Sequence, residues 1–270
     1  MPELPEVETT VRGLRPVLEG RRLVAAETRR ADLRRAFPPD LRQRLTGARV
    51  IGLRRRAKYG LLDTDRDDTL VFHLGMSGHW RIDPGALGAH DHLVLTTDEG
   101  RRVALNDARR FGSVDIARTD EVDGLPGLAG LGPEPLGDGF DGAYLAGRAD
   151  GRTASIKALL MDQRIVAGLG NIYVLEALHR AGIAPGRRAG FIARARLDRL
   201  ADEVKAVLQE GIASGGATVR TFAGPDGSIG TYAQSTRVYD REGEACSCGG
   251  TVKRRVNGGR SSFWCANCQR

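Results

Sequence analysis

Apolar residues in this 270-residue chain follow one period in the first half and another in the second. That switch limits the fold more than any other feature. From about 21 to 117 the apolar runs are short. Segments 48–56, 59–64, 69–75, 92–97 and 101–105 each read as a strand bounded by turn residues. Asp98-Glu99-Gly100 before Arg101 has the composition of a hairpin turn. Beyond 155 the period becomes helical. Segments 155–162 and 171–182 read as helices, with Asn171 at an N-cap position and Gly182 to Pro185 as a stop. Leu197, Leu200, Val204, Val207, Leu208 and Ile212 share one face of a third helix over 196–212. A short helix over 4–15 precedes the strands; Val7, Val11 and Leu14 share its face and Pro16 is its stop. One helix followed by many short strands implies a sandwich or barrel with the helix against it. Residues 124–142, rich in Gly and Pro, join the two regimes.

All four cysteines fall in the last 25 residues. Cys265-x-x-Cys268 has the spacing of half a four-cysteine zinc site, and Cys246-x-Cys248 is one residue short of it. The intervening residues are enough for a hairpin with Val-Asn-Gly-Gly at its tip. A zinc ribbon is expected; the alternative is four reduced surface thiols, which proteins usually avoid. Segment 246–270 carries Lys253, Arg254, Arg255, Arg260 and Arg270 and no acid. Residues 233–270 hold seven basic and three acidic groups, four of the seven net positive charges of the chain. A basic excess of this kind points to an anionic partner, nucleic acid or membrane surface. No run of about 20 apolar residues could cross a membrane, and no secretory signal opens the chain, so a cytoplasmic protein with reduced thiols is expected.

Pro2 follows Met1. Methionine is normally removed before so small a residue, which would expose a secondary amine able to attack an electrophilic sugar carbon. Glu3 beside it could carry protons. Read alone, Pro2 is more simply an ordinary first residue of a helix.

Seven segments in register resemble one family across the whole chain: 2–14, 55–62 (RRAKYGLL), 73–78 (HLGMSG), 107–112 (DARRFG), 131–136 (LGPEPL), 156–183 and the C-terminal ribbon. They are similar to formamidopyrimidine-DNA glycosylases, bifunctional glycosylase/AP lyases of base-excision repair. The resemblance implies an α+β fold: an N-terminal β-sandwich with flanking helices, a helix–two-turn–helix domain, and a C-terminal zinc-ribbon β-hairpin. The expected boundaries are a catalytic domain over 1–123, a linker over 124–142, a helical DNA-binding domain with a lesion-recognition loop over 143–232, and the zinc hairpin over 233–270. Damaged double-stranded DNA would lie in the cleft between domains, bound by a monomer.

By the same resemblance Pro2 matches the nucleophile, Glu3 the proton donor, and Lys58 a residue of proton transfer in β-elimination. Lys58 closes a basic run, Arg54 to Arg56, that by itself reads as a solvated strand face. Arg260 matches the residue assigned to δ-elimination; a guanidinium is a poor acid, so phosphate binding suits it better. Met76, Arg109 and Phe111 match the residues that fill the gap left by an extruded base, although Met76 and Phe111 alone would suit a core. Asn171 matches a phosphate-binding position, and His90, Arg152 and Lys157 align with DNA contacts. Cys246, Cys248, Cys265 and Cys268 would hold one structural Zn(2+); no small-molecule cofactor is implied. Segment 221–243 resembles a loop that covers the extruded base. The opening PELPEVET resembles the branch acting on oxidised purines, 8-oxoguanine and formamidopyrimidines opposite cytosine. An endonuclease VIII-like enzyme for oxidised pyrimidines and an inactive DNA-binding paralogue are the rival readings. Ala108 replaces a usual proline, and the Cys246-x-Cys248 spacing departs from the family.

Overall fold

The computed structural model describes residues 1–218, 223–257 and 259–270, and of Asn257 only the backbone. It divides into two compact units, Met1–Ala129 with Ile212–Ala233, and Gly130–Gly211 with Gln234–Arg270.

The first unit opens with helix α1, Leu4–Leu18. Pro16 does not end it, as the sequence suggested. A proline removes only its own N–H bond to the turn before, and here Val17 and Leu18 are drawn into the core, at 6% and 1% exposure. The chain then lays down β1 (Leu23–Thr28), a short α2 (Leu41–Leu45), β2 (Val50–Arg56), β3 (Tyr59–Thr64), β4 (Asp68–His73), β5 (His79–Ile82), β6 (Asp91–Thr97), β7 (Arg102–Asn106) and β8 (Ser113–Arg118). These pair antiparallel into two four-stranded sheets, ordered β1-β6-β7-β5 and β2-β3-β4-β8. One hydrophobic core takes side chains from both sheets and from α1, with Leu23, Leu93 and Leu105 on one side and Leu53, Leu70 and Phe72 on the other. Phe72 meets Trp80 edge to face across that core at 5.3 Å. The unit is the expected β-sandwich with helices against it.

Residues 224–228 close a tight turn pinned to the first unit. Ile82 N–H donates to Pro225 O at 2.8 Å, and a side chain at Gly13 of α1 would reach the Pro225 ring at 3.0 Å. Packing therefore groups residues 212–233 with the sandwich, whereas the sequence boundaries put 143–232 together. Thr221 and Phe222, at the start of the expected lesion loop, lie outside the described residues, as does Gly258 at the hairpin tip.

The second unit holds α3 (Gly142–Ala149), α4 (Ile156–Met161), α5 (Asn171–Arg180) and most of α6 (Arg194–Ala213), then the hairpin β9 (Val252–Asn257) and β10 (Arg260–Cys265). Ser155 caps α4 by accepting the Ala158 N–H at 3.2 Å. The buried α5 carboxylate Glu176 accepts the N–H groups of Arg237, Val238 and Tyr239 at 2.8–3.0 Å, binding the segment before the hairpin to the helix. A small core of Leu175, Val238, Val252 and Phe263, with Cys246 and Cys265, lies beneath.

Candidate active site and metal centre

The expected residues gather in one group within each unit. The first group surrounds the N-terminus. Pro2 and Glu3 are buried while Met1 is 48% exposed. The start of α1 holds them there. Glu6 accepts the Glu3 N–H through Oε2 at 2.7 Å and the Ala217 N–H through Oε1 at 2.6 Å. Burial lowers the pKa of the Met1 α-amine below its ordinary value; Glu3 and Glu6 oppose the shift, and Lys58 and Arg109 add to it.

Lys58 is 6% exposed. It lies in the turn between β2 and β3 rather than on a strand, because Ala57 takes a left-handed φ of 54° and reverses the chain. The solvated-face reading thus fails for Lys58. Within the run, Arg54 pairs with Asp63 and Arg55 with Glu8. His73, which the sequence reading passed over, stands within electrostatic reach of Lys58. Its Nδ1 accepts the Gly75 N–H at 3.0 Å. Burial first, then the charges of Lys58, Arg34 and Arg35, push its pKa down to about 4. The ring is therefore neutral at pH 7, with its proton on Nε2. The available signal was its place in HLGMSG, at the end of a strand three residues before Met76.

Met76 and Phe111 are 42% and 45% exposed, so neither is a core residue. The Arg109 guanidinium lies 4.8 Å over the Phe111 ring. Their two loops touch backbone to backbone at Gly75, which has φ +62°; a Cβ there would lie 2.3 Å from the Phe111 carbonyl carbon. His90 is exposed, and its carbonyl accepts the Asp107 N–H at 3.0 Å.

The second group centres on Ser261. Lys157 Nζ donates to Ser261 O at 3.0 Å and to Ser262 Oγ at 2.9 Å, and Asn171 Nδ2 donates to Ser261 O at 3.0 Å. Asn171 is the first residue of α5; the N-cap is Gly170. Its amide serves the hairpin instead of the helix end. Burial and the neighbouring Arg260 charge lower the Lys157 pKa to about 8. Arg260 itself is exposed at the start of β10. Arg152 is exposed after α3, and its charge acts on Asp162.

The four cysteine Sγ atoms all lie within 4.8 Å of one another. Cys246 to Cys268 is 3.8 Å and Cys248 to Cys265 is 3.5 Å. Tetrahedral zinc with bonds near 2.3 Å places its sulfurs about 3.8 Å apart, so the set fits one ion. The short Cys246-x-Cys248 spacing is absorbed by a tight turn. Cys246 N–H donates to Gly250 O at 2.7 Å, and Gly249 takes φ +82°. A Cβ at Gly250 would lie 2.7 Å from Cys265 Sγ. No helix among the described residues is long and apolar enough to cross a membrane.

Comparison with known proteins identifies the family. The family model of the formamidopyrimidine-DNA glycosylase N-terminal domain matches residues 1–114, and that of the formamidopyrimidine-DNA glycosylase H2TH domain matches residues 131–223. A formamidopyrimidine-DNA glycosylase from Rhizorhabdus wittichii is 65% identical over 270 residues, covering 100% of both chains. The Lactococcus lactis Fpg (MutM) in complex with Fapy-dG-containing DNA superposes with a TM-score of 0.90 at 32% identity, over 99% of this chain and 100% of that one. The same protein with abasic-site DNA gives 0.91 at 32% identity, over 99% of each chain. Two matched domains and identity along the full length lead to one conclusion: the chain belongs to the formamidopyrimidine-DNA glycosylase family.

Proposed function

We propose that this glycosylase excises oxidised purines, 8-oxoguanine and formamidopyrimidines, from duplex DNA and then cleaves the abasic site by β,δ-elimination. The observation that carries the reading is the buried N-terminus beside Glu3 and Lys58. Removing Met1 leaves the Pro2 secondary amine in that setting. Burial disfavours its protonated form, so more of it carries a lone pair at neutral pH. The lone pair attacks C1′, the glycosidic bond breaks, and the base leaves with a proton. Glu3 protonates the ring oxygen as the sugar opens to an iminium. Lys58 assists proton transfer as the C2′ proton leaves and the 3′ phosphate departs; loss of the 5′ phosphate follows.

Extrusion of the base costs a few kcal/mol of stacking. Met76 and Phe111 replace lost stacking, and Arg109 donates to the orphaned partner base. Their exposure supports that role. His90, Arg152 and Lys157 are assigned to DNA contacts, Asn171 and Arg260 to phosphate, and segment 221–243 to the extruded base. Cys246, Cys248, Cys265 and Cys268 are assigned to one structural zinc ion, which would hold the hairpin carrying Arg260. The Lactococcus lactis complex with Fapy-dG DNA supports the purine assignment.

Borohydride trapping tests the chemistry. Met-processed protein should form a covalent adduct with 8-oxoguanine duplex and with abasic DNA, and blocking the amine should abolish it. An absent adduct overturns the lyase assignment. Preference for a thymine-glycol duplex overturns the purine assignment.

A further inference from the structure

We propose that Asp107 is a positioning residue that locks the loops bearing Met76, His90, and Arg109 with Phe111 into one preformed surface for the gap left by an extruded base. The inference rests on the glycosylase reading above.

Asp107 is fully buried and is the first residue after β7, at the start of the loop that carries Arg109 and Phe111. Its side chain faces two loops at once. Oδ1 accepts the Ser77 hydroxyl at 2.6 Å, and Oδ2 accepts the Gly112 N–H at 2.8 Å. Ser77 follows Met76, and Gly112 follows Phe111. Ser77 Oγ in turn accepts the Arg109 N–H at 3.2 Å. The carboxylate therefore fixes the spacing between the two loops that carry the gap-filling side chains. The backbone of Asp107 reaches the third loop. Its N–H donates to His90 O at 3.0 Å, and its carbonyl accepts His92 Nε2–H at 3.0 Å. The remaining bond within the turn, Arg110 N–H to Asp107 O at 3.2 Å, leads into Arg110 at φ 59°. A left-handed arginine is strained and persists only where its surroundings hold it.

Only a carboxylate satisfies these demands together. It is acceptor-only, so one oxygen can close its own loop through the Gly112 N–H while the other takes the Ser77 hydroxyl from the neighbouring loop. Without it a hydroxyl and a buried amide N–H lose their acceptor, and the loops lose their common reference. The chemistry at the N-terminus does not pass through Asp107. The residue should matter for duplex DNA, where a stacked base must be replaced, and not where no stack exists.

The test compares wild type with Asp107→Leu, which is similar in shape but has no acceptor, and Asp107→Asn. Two substrates are used: an 8-oxoguanine duplex and a single-stranded abasic oligonucleotide trapped with borohydride. The expected result for Asp107→Leu is a loss of about 10- to 100-fold in duplex excision, the scale of a misplacement near 1 Å. Single-strand trapping should stay near wild type. Discrimination between cytosine and adenine opposite the lesion should narrow, because Arg109 is no longer held. Asp107→Asn should recover part of the loss, since its amide oxygen still accepts from Gly112 and its N–H can meet Ser77 Oγ. Unchanged duplex excision overturns the inference, as does an equal loss on both substrates, which would mean a general effect on folding or chemistry. Wild type inert on both substrates would instead overturn the glycosylase reading itself, and this inference with it.

Discussion

Glu6 accepts the backbone N–H of Ala217 at 2.6 Å, across 211 residues of sequence. Its other oxygen holds the Glu3 N–H at 2.7 Å. One buried carboxylate thus fixes both the start of α1, where Pro2 and Glu3 lie, and the return of the chain to the sandwich after α6. Glu6→Ala leaves two buried N–H groups without this acceptor, and we expect a destabilisation of about 2–4 kcal/mol. Urea unfolding followed by circular dichroism measures it. A shift under about 0.5 kcal/mol, the level of a neutral surface change, would show that the carboxylate is not needed.

Met76 and Phe111 separate a DNA role from a packing role. Both are about half exposed, so Phe111→Ala should change stability by no more than about 0.5 kcal/mol. Stacking on an aromatic ring is worth roughly 1–3 kcal/mol per base, so excision from duplex should fall by about tenfold or more. Thermal melts and single-turnover excision assays make the comparison. A large loss of stability with normal excision would return Phe111 to the core.

The metal centre gives a sharper steric prediction. In Gly250→Ala the new methyl would lie 2.7 Å from Cys265 Sγ and 2.7 Å from Asn267 Cβ. The turn or the thiolates must move, and zinc affinity should fall by roughly 10- to 100-fold, as for other residues that hold metal ligands in place. Elemental analysis should find near one zinc per wild-type chain, and competition with a chromogenic chelator gives the ratio of affinities. Equal affinities would mean that the cysteine turn tolerates a side chain.

His73 links stability to pH. A histidine in the unfolded chain titrates near 6.5, whereas the folded ring titrates at about 4. Between those values the unfolded chain binds more protons. The contribution of His73 is therefore complete above about 6.5, is lost as pH falls towards 4, and changes no further below that. The whole effect is at most about 3 kcal/mol. Wild type should lose more stability than His73→Gln between pH 7 and pH 4.5 in urea titrations. Parallel curves would show that folding leaves the His73 pKa at its unfolded value.

Short apolar runs bounded by turn residues located most of the strands that form the sandwich core, four of which carry consecutive buried residues, and the helical period located α4, α5 and α6. The elements missed were β1, β5, β8 and the short helices α2 and α3, where the buried set is too small or irregular to show a period. The cysteine spacing announced a four-sulfur cluster, since ligand chemistry is written in residue type. Chain direction at Lys58 was not legible: a left-handed Ala57 has no composition signal. Nor was the place of Pro16, where burial of Val17 and Leu18 outweighs a lost hydrogen bond. By itself the sequence determined the two regimes, the family and the residue types available for chemistry. Tertiary structure alone decided that Glu6 meets Ala217, that Asp107 serves three loops and that His73 is neutral. Those facts depend on burial and on contacts between distant segments, which no local pattern records.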